Sequence, residues 1–360
     1  MPPVMGAGAF VMSEMTGIPY IQIVKVAFIP GILYFVSVGV MVYFAARKLG
    51  LRGLPREELP SARDVWRRGW YLLLPIVVLV GSLAFDYSPQ RAALNGIVAT
   101  IVVSWLRKET RMGWLEIWQA LVGAGRNSLF VAALTGAVGI LMGVLALTGI
   151  VSRVPYILTA FVNQNLLLTI ALIALATFIL RLSLPITATY LIVAVVAVPS
   201  LLKLGVPTLS AHLLIFWLSL GSNITPPVAL GPFAATAISQ PDPMKTGWSC
   251  FRFAKIIYVM PLLFAYSHIL LTGTPAQNFW AIFSATLGTV LFSIVSTAFF
   301  YVRTNAWEWQ LLAVATCLAF LPALGTELAA VSIFVAVYFW QRKRANASSR
   351  AGHATENGTK

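Results

Sequence analysis

The sequence predicts an all-α, polytopic transmembrane protein, and three observations carry that reading. Apolar residues make up 59% of the chain and charged residues 10%, where a soluble domain has about half and about a quarter. The apolar residues gather into runs close to the roughly 20 residues a helix needs to cross the hydrocarbon core, and the mean hydropathy is +0.85. The third observation is placement of charge. The 25 Lys and Arg outnumber the 11 Asp and Glu, for a net charge of +14, yet they sit in the short polar breaks between runs, where basic residues set orientation. That distribution excludes a nucleic-acid partner and makes the lipid bilayer the solvent. Cys250 and Cys317 have no partner spacing, so neither a disulfide framework nor a metal site is expected.

In chain order, apolar runs fall near 4–20, 25–46, 69–87, 90–106, 127–149, 166–182, 188–204, 208–239, 254–272, 278–302, 307–323 and 325–341. Residues 1–20 form a first unit. Scaffold helices follow over 21–125, interrupted at 47–68 by a loop with seven Lys and Arg, which places it in the cytoplasm. The stretch 113–124, with Trp114 and Trp118, is expected along the membrane interface. A second unit covers 126–272, and further transmembrane helices cover 273–341. The tail 342–360 begins Arg342-Lys343-Arg344 and is expected to be disordered in the cytoplasm. Trp307, Trp309 and Trp340 suit the interfacial aromatic belt, and Gly139-x-x-x-Gly143 permits close helix contact.

Orientation constrains the middle of the chain. If every run crosses, the basic segment Lys245–Lys255 and the tail cannot both obey the charge rule. If 166–204 is instead a re-entrant hairpin, they can. Its tip would be Arg181-Leu182-Ser183-Leu184-Pro185-Ile186-Thr187-Ala188-Thr189. Irregular backbone at that depth is tolerated only where protein buries it or a wet cavity receives it.

A second break lies inside 208–239, at Gly221-Ser222-Asn223-Ile224-Thr225-Pro226-Pro227. Two prolines remove two backbone donors and force the chain out of helix. The orphaned carbonyls and the Ser222, Asn223 and Thr225 oxygens are hard neutral acceptors that suit Na⁺. A helix restarting after Pro227 would point its positive end at the break and favour a carboxylate. Arg181 has two readings: a tip residue that attracts a carboxylate, or the end of a span that snorkels to the interface. Glu14 is expected at the surface, and His212 and His268 in packing or interfacial roles rather than a proton relay. Pro2-Pro3-Val4 echoes Pro226-Pro227-Val228 with opposite expected direction, the pattern of an inverted repeat.

With these residues in view, the chain resembles the fused permease of the tripartite ATP-independent periplasmic (TRAP) transporters. Met1–Tyr20, Leu184–Tyr190, Asn223–Leu230 and Asp242–Phe251 carry the resemblance, which extends over roughly 1–340. It implies an elevator-type fold in which hairpin 166–204 and broken helix 208–239 move together. It also implies Na⁺-coupled import of small carboxylated organic anions, delivered by a periplasmic substrate-binding protein. A small permease subunit, or an N-terminal region equivalent to it, would be a further partner. By the resemblance, Gly221, Asn223, Thr225, Pro226 and Thr187 bind Na⁺, while Ser183, Pro185, Thr189 and Arg181 contact substrate. No cofactor is expected beyond Na⁺ as coupling ion. The family carries a first scaffold and a first hairpin ahead of its first Pro-Pro break. The chain starts at that break, so it is expected to be a C-terminal part with an incomplete first repeat. The family often has Gly at position 183 and Asp at 223; Asn223 keeps the oxygen without the charge.

Two rival classes follow. A non-transporting membrane subunit that scaffolds a partner would insert stably and show no Na⁺ effect. An intramembrane enzyme needs a motif such as His-Glu-x-x-His or Gly-x-Ser-x-Gly, and neither occurs, so the chain reads as no enzyme.

Overall fold

The structure is a computed structural model that describes residues 2, 5–51, 53, 55–85, 87–149, 165–182, 184–226, 231–232, 235–236 and 242–357. The described residues are helical throughout their ordered elements, with one isolated bridge, Phe299 to Arg303. Among the described residues, five helical stretches are long and apolar enough to cross a membrane: Tyr20–Lys48, Ala62–Ala84, Ile186–Lys203, Pro275–Thr297 and Leu324–Ala345. A bent pair, Pro243–Phe253 with Lys255–Tyr266, makes a sixth if counted as one span. The chain is thus a multi-pass membrane protein, and it divides into two compact units.

The first unit comprises Pro2–Lys25 and Gly53–Leu158. Helix α1 (Ala7–Thr16) has 10 residues, about 15 Å at the usual rise, half the thickness of a bilayer core. It stops because Gly17 takes a left-handed conformation, φ 67°, and returns its N–H to the Ser13 carbonyl at 2.9 Å. Helix α2 (Tyr20–Lys48) gives its first six residues to this unit. Phe10 stacks on Tyr20 with centroids 4.4 Å apart, and Ala9, Tyr20, Leu83 and Ala92 form a shared core. Glu14 is exposed and accepts a hydrogen bond from Gln90. Helix α3 (Ala62–Gly69) runs through a 3₁₀ turn into α4 (Leu74–Ala84), which packs on α5 (Pro89–Ser104). Asn95 donates to Ser82 at 3.0 Å across that pair.

Helix α6 (Trp114–Leu147) is continuous over 34 residues. An interfacial piece at 113–124 and a separate helix at 127–149 were expected, and the structure joins them. No proline falls between Trp114 and Leu147, and isolated glycines weaken a helix by only about 1 kcal/mol each.

The second unit comprises Val26–Arg52 and Thr159–Lys360. Its helices are α7 (Leu166–Leu180), α8 (Ile186–Lys203), α9 (Thr208–Ser219), α10 (Pro243–Phe253), α11 (Met260–Tyr266), α12 (Pro275–Thr297), α13 (Ala306–Ala319) and α14 (Leu324–Asn357). Helix α9 lies between α8, α7 and α11 and is buried along its whole length from Ser210 to Ser219. The run at 254–272 is not one straight span. A 3₁₀ turn, Lys255–Tyr258, precedes α11, and the segment bends by 53° at the junction with α10. Toward the C-terminus, α12, α13 and α14 pack in series, with Gly288 against the Phe320 ring and a buried Ser37–Ser293 hydroxyl pair at 3.0 Å tying α2 to α12. The residues expected as a disordered tail instead continue α14 as far as Asn357. Their Arg, Lys and Ala content is compatible with extending a helix already nucleated in the membrane.

Candidate functional site

Two chain breaks meet inside the second unit. Helix α7 has 15 residues, about 22 Å at the usual rise, and ends at Leu180. The chain turns through Arg181–Pro185 before α8 begins at Ile186. Pro185 suits that start, because a proline just ahead of a helix has no N–H to lose. The second break follows α9. A 3₁₀ turn, Leu220–Asn223, leads into Ile224, Thr225 and Pro226. Helix α8 packs directly on this turn, which brings the two breaks together.

Arg181 is the centre of the arrangement. It is 1% exposed, so it does not snorkel. One terminal nitrogen donates to the Leu218 carbonyl at 3.2 Å, and the other donates to the Tyr258 hydroxyl. The guanidinium also lies over the Phe178 ring at 4.7 Å and the Tyr258 ring at 5.0 Å. Among the described residues its Nε has no partner, and no carboxylate pairs with it. The Leu218 contact places a fixed cation at the C-terminal end of α9, where the helix dipole is negative.

Gly221 leaves room for this packing. A Cβ there would overlap the Arg181 guanidinium, so a larger residue would force that side chain to shift. The Gly221 carbonyl accepts from the Thr225 hydroxyl at 2.8 Å and from the Thr225 N–H at 3.0 Å, which closes the turn. Thr225 and Pro226 are buried, Asn223 is exposed, and the Ser222 hydroxyl is buried without a partner among the described residues. A Cβ on Gly231 would lie 3.4 Å from the Asn223 carbonyl.

At the first break Thr189 is fully buried, and its hydroxyl reaches the Leu184 carbonyl at 3.4 Å. Thr187 is half-buried and Pro185 exposed. Ser183 and Pro227 lie outside the described residues, as do Pro3 and Val4 of the echo; of the helix expected to restart after Pro227, only 231–232 and 235–236 are described, and they are helical. Arg181, Gly221 and Thr225 thus stand in one cluster, with Pro185, Thr187 and Thr189 on the adjoining first turn of α8.

Two residues of this region were not singled out from the sequence. Tyr258 sits 77 residues from Arg181, in the bent segment, and belongs to no motif. Tyr190 is buried on α8 and shares a 2.8 Å hydrogen bond with His212 Nδ1 on α9, which gives that histidine the packing role expected of it. An aromatic with a polar tip in an apolar run needs a buried partner. That rule flags Tyr190 but not which residue answers it.

The comparisons with known proteins agree with this architecture. Residues 1–274 match the family model described as "Tripartite ATP-independent periplasmic transporter, DctM component". The match stops short of the expected 340, so α12, α13 and α14 lie beyond it. The chain is 23% identical over 220 residues to the isethionate TRAP transporter permease protein DctMQ of Oleidesulfovibrio alaskensis, covering 59% of this chain and 33% of that protein. It is 30% identical over 175 residues to the sialic acid TRAP transporter large permease protein SiaM of Vibrio cholerae, covering 43% of this chain and 38% of that protein. The chain therefore spans little more than a third of the length of these relatives. No solved structure matches it. A family match over three quarters of the sequence, on an all-helical multi-pass fold, makes this chain a member of the TRAP transporter DctM permease family, and an inner-membrane protein rather than an enzyme.

Proposed function

We propose that the chain is the membrane permease part of a Na⁺-coupled secondary transporter that imports small carboxylated organic anions delivered by a periplasmic binding protein. A small permease subunit or an equivalent region of a longer chain would complete it. One observation carries the reading: Arg181 is an enclosed cation without an acidic counter-charge among the described residues, set beside a helix break. A buried ion left unpaired costs several kcal/mol. A carboxylate arriving at the free Nε would supply the missing charge. The names of the two relatives, isethionate and sialic acid, both denote small organic anions.

The same cluster offers a reason for ion coupling. The turn at Leu220–Asn223, with the buried Ser222 hydroxyl, presents neutral oxygens that suit Na⁺. Two positive charges about 6 Å apart, at an effective dielectric of about 20, repel by about 3 kcal/mol. That repulsion would hold Na⁺ off while Arg181 is unpaired. A bound carboxylate removes most of it, so each ligand would raise the affinity of the other by up to about a hundredfold. Gly221, Asn223, Thr225, Pro226 and Thr187 are proposed on the ion side, and Ser183, Pro185, Thr189 and Arg181 on the anion side.

The test uses the native gene product in proteoliposomes with its binding protein, driven by an inward Na⁺ gradient. Thr225→Ala and Asn223→Ala should abolish Na⁺-dependent uptake, and Arg181→Gln should abolish uptake with any gradient. Uptake and sodium dependence unchanged in all three variants would refute the site. A wild-type protein that inserts stably yet neither transports nor responds to Na⁺ would favour the scaffold reading.

A further inference from the structure

The second unit carries another cleft, of about 220 Å³, formed where α2, α10 and α12 meet. Lys48 and Arg252 line it together with the hydroxyl residues Ser249, Ser296 and Thr297. Met41 and Phe253 form its apolar wall. No carboxylate lines it. The Lys48 ammonium donates to the Thr297 carbonyl at 2.8 Å, which anchors that charge at the rim. Neither Lys48 nor Arg252 has an ion-pair partner among the described residues. The cleft is therefore a pair of cations and three hydroxyls set above hydrocarbon-lining side chains.

Two further observations fix its depth. Trp309 donates its indole N–H to the Val295 carbonyl at 3.1 Å, one residue from Ser296, and remains 43% exposed. Trp248, next to Ser249, is 52% exposed. Exposed indoles with one polar tip sit at the level of lipid headgroups. Arg47, next to Lys48, lies over the Tyr301 ring, with Arg342 beside the same tyrosine and Arg303 paired to Phe299, which marks this end as cytoplasmic by the positive-inside rule. Basic pockets between helices on that side suit anionic lipid headgroups.

We propose that this cleft binds the phosphate of an anionic phospholipid of the cytoplasmic leaflet, with Lys48 and Arg252 pairing the phosphate, the Ser296 hydroxyl donating to one of its oxygens, and Met41 and Phe253 meeting the first acyl methylenes; the Ser249 and Thr297 hydroxyls already donate to backbone carbonyls of their own helices and rim. The shared chemistry is a phosphate group. The acyl-facing wall and the flanking indoles favour the lipid over a soluble ion.

The experiment compares the full chain in phosphatidylcholine nanodiscs with and without phosphatidylglycerol, reading thermal stability and the lipid retained by native mass spectrometry. Phosphatidylglycerol should raise the melting temperature and remain bound after delipidation. A basic side chain near an anionic surface is worth about fivefold in affinity, so Lys48→Gln with Arg252→Gln should weaken retention about thirtyfold. Lys48→Arg with Arg252→Lys should keep most of it, which controls for misfolding. A second arm adds inorganic phosphate to phosphatidylcholine nanodiscs and should change nothing. Equal retention by wild type and the double Gln variant would overturn the site. Stabilisation by inorganic phosphate that the double variant abolishes would overturn the lipid assignment, as would wild type indifferent to phosphatidylglycerol.

Discussion

The guanidinium of Arg181 lies against the α-carbon of Gly221, closer than any side chain at 221 would permit. The contact joins the end of α7 to the turn after α9. It makes one residue's lack of a side chain the condition for another's burial.

Gly221→Ala should therefore destabilise the protein by overpacking, typically about 1–3 kcal/mol. Thermal unfolding in detergent would register this as a lowered Tm. Adding Arg181→Ala to Gly221→Ala should recover part of the loss, because the clash partner is gone. Two independent, additive losses would show that the contact is not the cause.

Arg181→Met separates stability from function. It replaces an unpaired buried cation by an apolar chain of similar length, and such replacements are often neutral or stabilising. The ligand-free variant should melt at or above the wild-type temperature, while anion-driven stabilisation disappears. A large fall in Tm would mean that the bonds to Leu218 and Tyr258 outweigh the cost of the charge.

Tyr190→Phe removes the hydroxyl that answers His212 Nδ1 and leaves a buried nitrogen unsatisfied, a cost of about 1–3 kcal/mol. Equilibrium unfolding of the variant should show that loss. His212→Leu made on top of Tyr190→Phe should return part of it, since two apolar partners leave no orphan.

Gly288→Leu tests the helices beyond the family match. Gly288 faces the Phe320 ring, and even a Cβ would approach its carbons to 2.5 Å, so a larger side chain must push α12 from α13. Limited proteolysis should cut the α13–α14 region faster in the variant. An unchanged digestion pattern would show that the ring simply swings aside.

Much of the fold was legible because its causes are local. A run of apolar residues is a helix in lipid wherever it occurs, since no water is present to satisfy an open backbone. The prolines at 185 and 226 marked where α7 gives way to α8 and where the chain leaves α9, because a missing N–H acts within one turn. Joins between helices were less legible. Residues 113–124 and 127–149 read as two pieces and form one α6, whereas the run that begins at 254 sets off at 53° to α10 where the two meet. In each case the local sequence permits both forms, and packing chooses.

By itself, then, the sequence determined the membrane class and the positions of two chain breaks. These follow from transfer energies and backbone chemistry that each residue carries wherever it sits. Whether Arg181 reaches the interface or turns inward was decided only by tertiary structure. The end of α7 alone allows both. Burial of that charge depends on a carbonyl 37 residues away, a phenol 77 residues away and the absence of a side chain at Gly221. Those partners converge only when α9 and the bent segment before α11 pack over the break, because the cost of an enclosed cation is set by what surrounds it rather than by its own sequence neighbours.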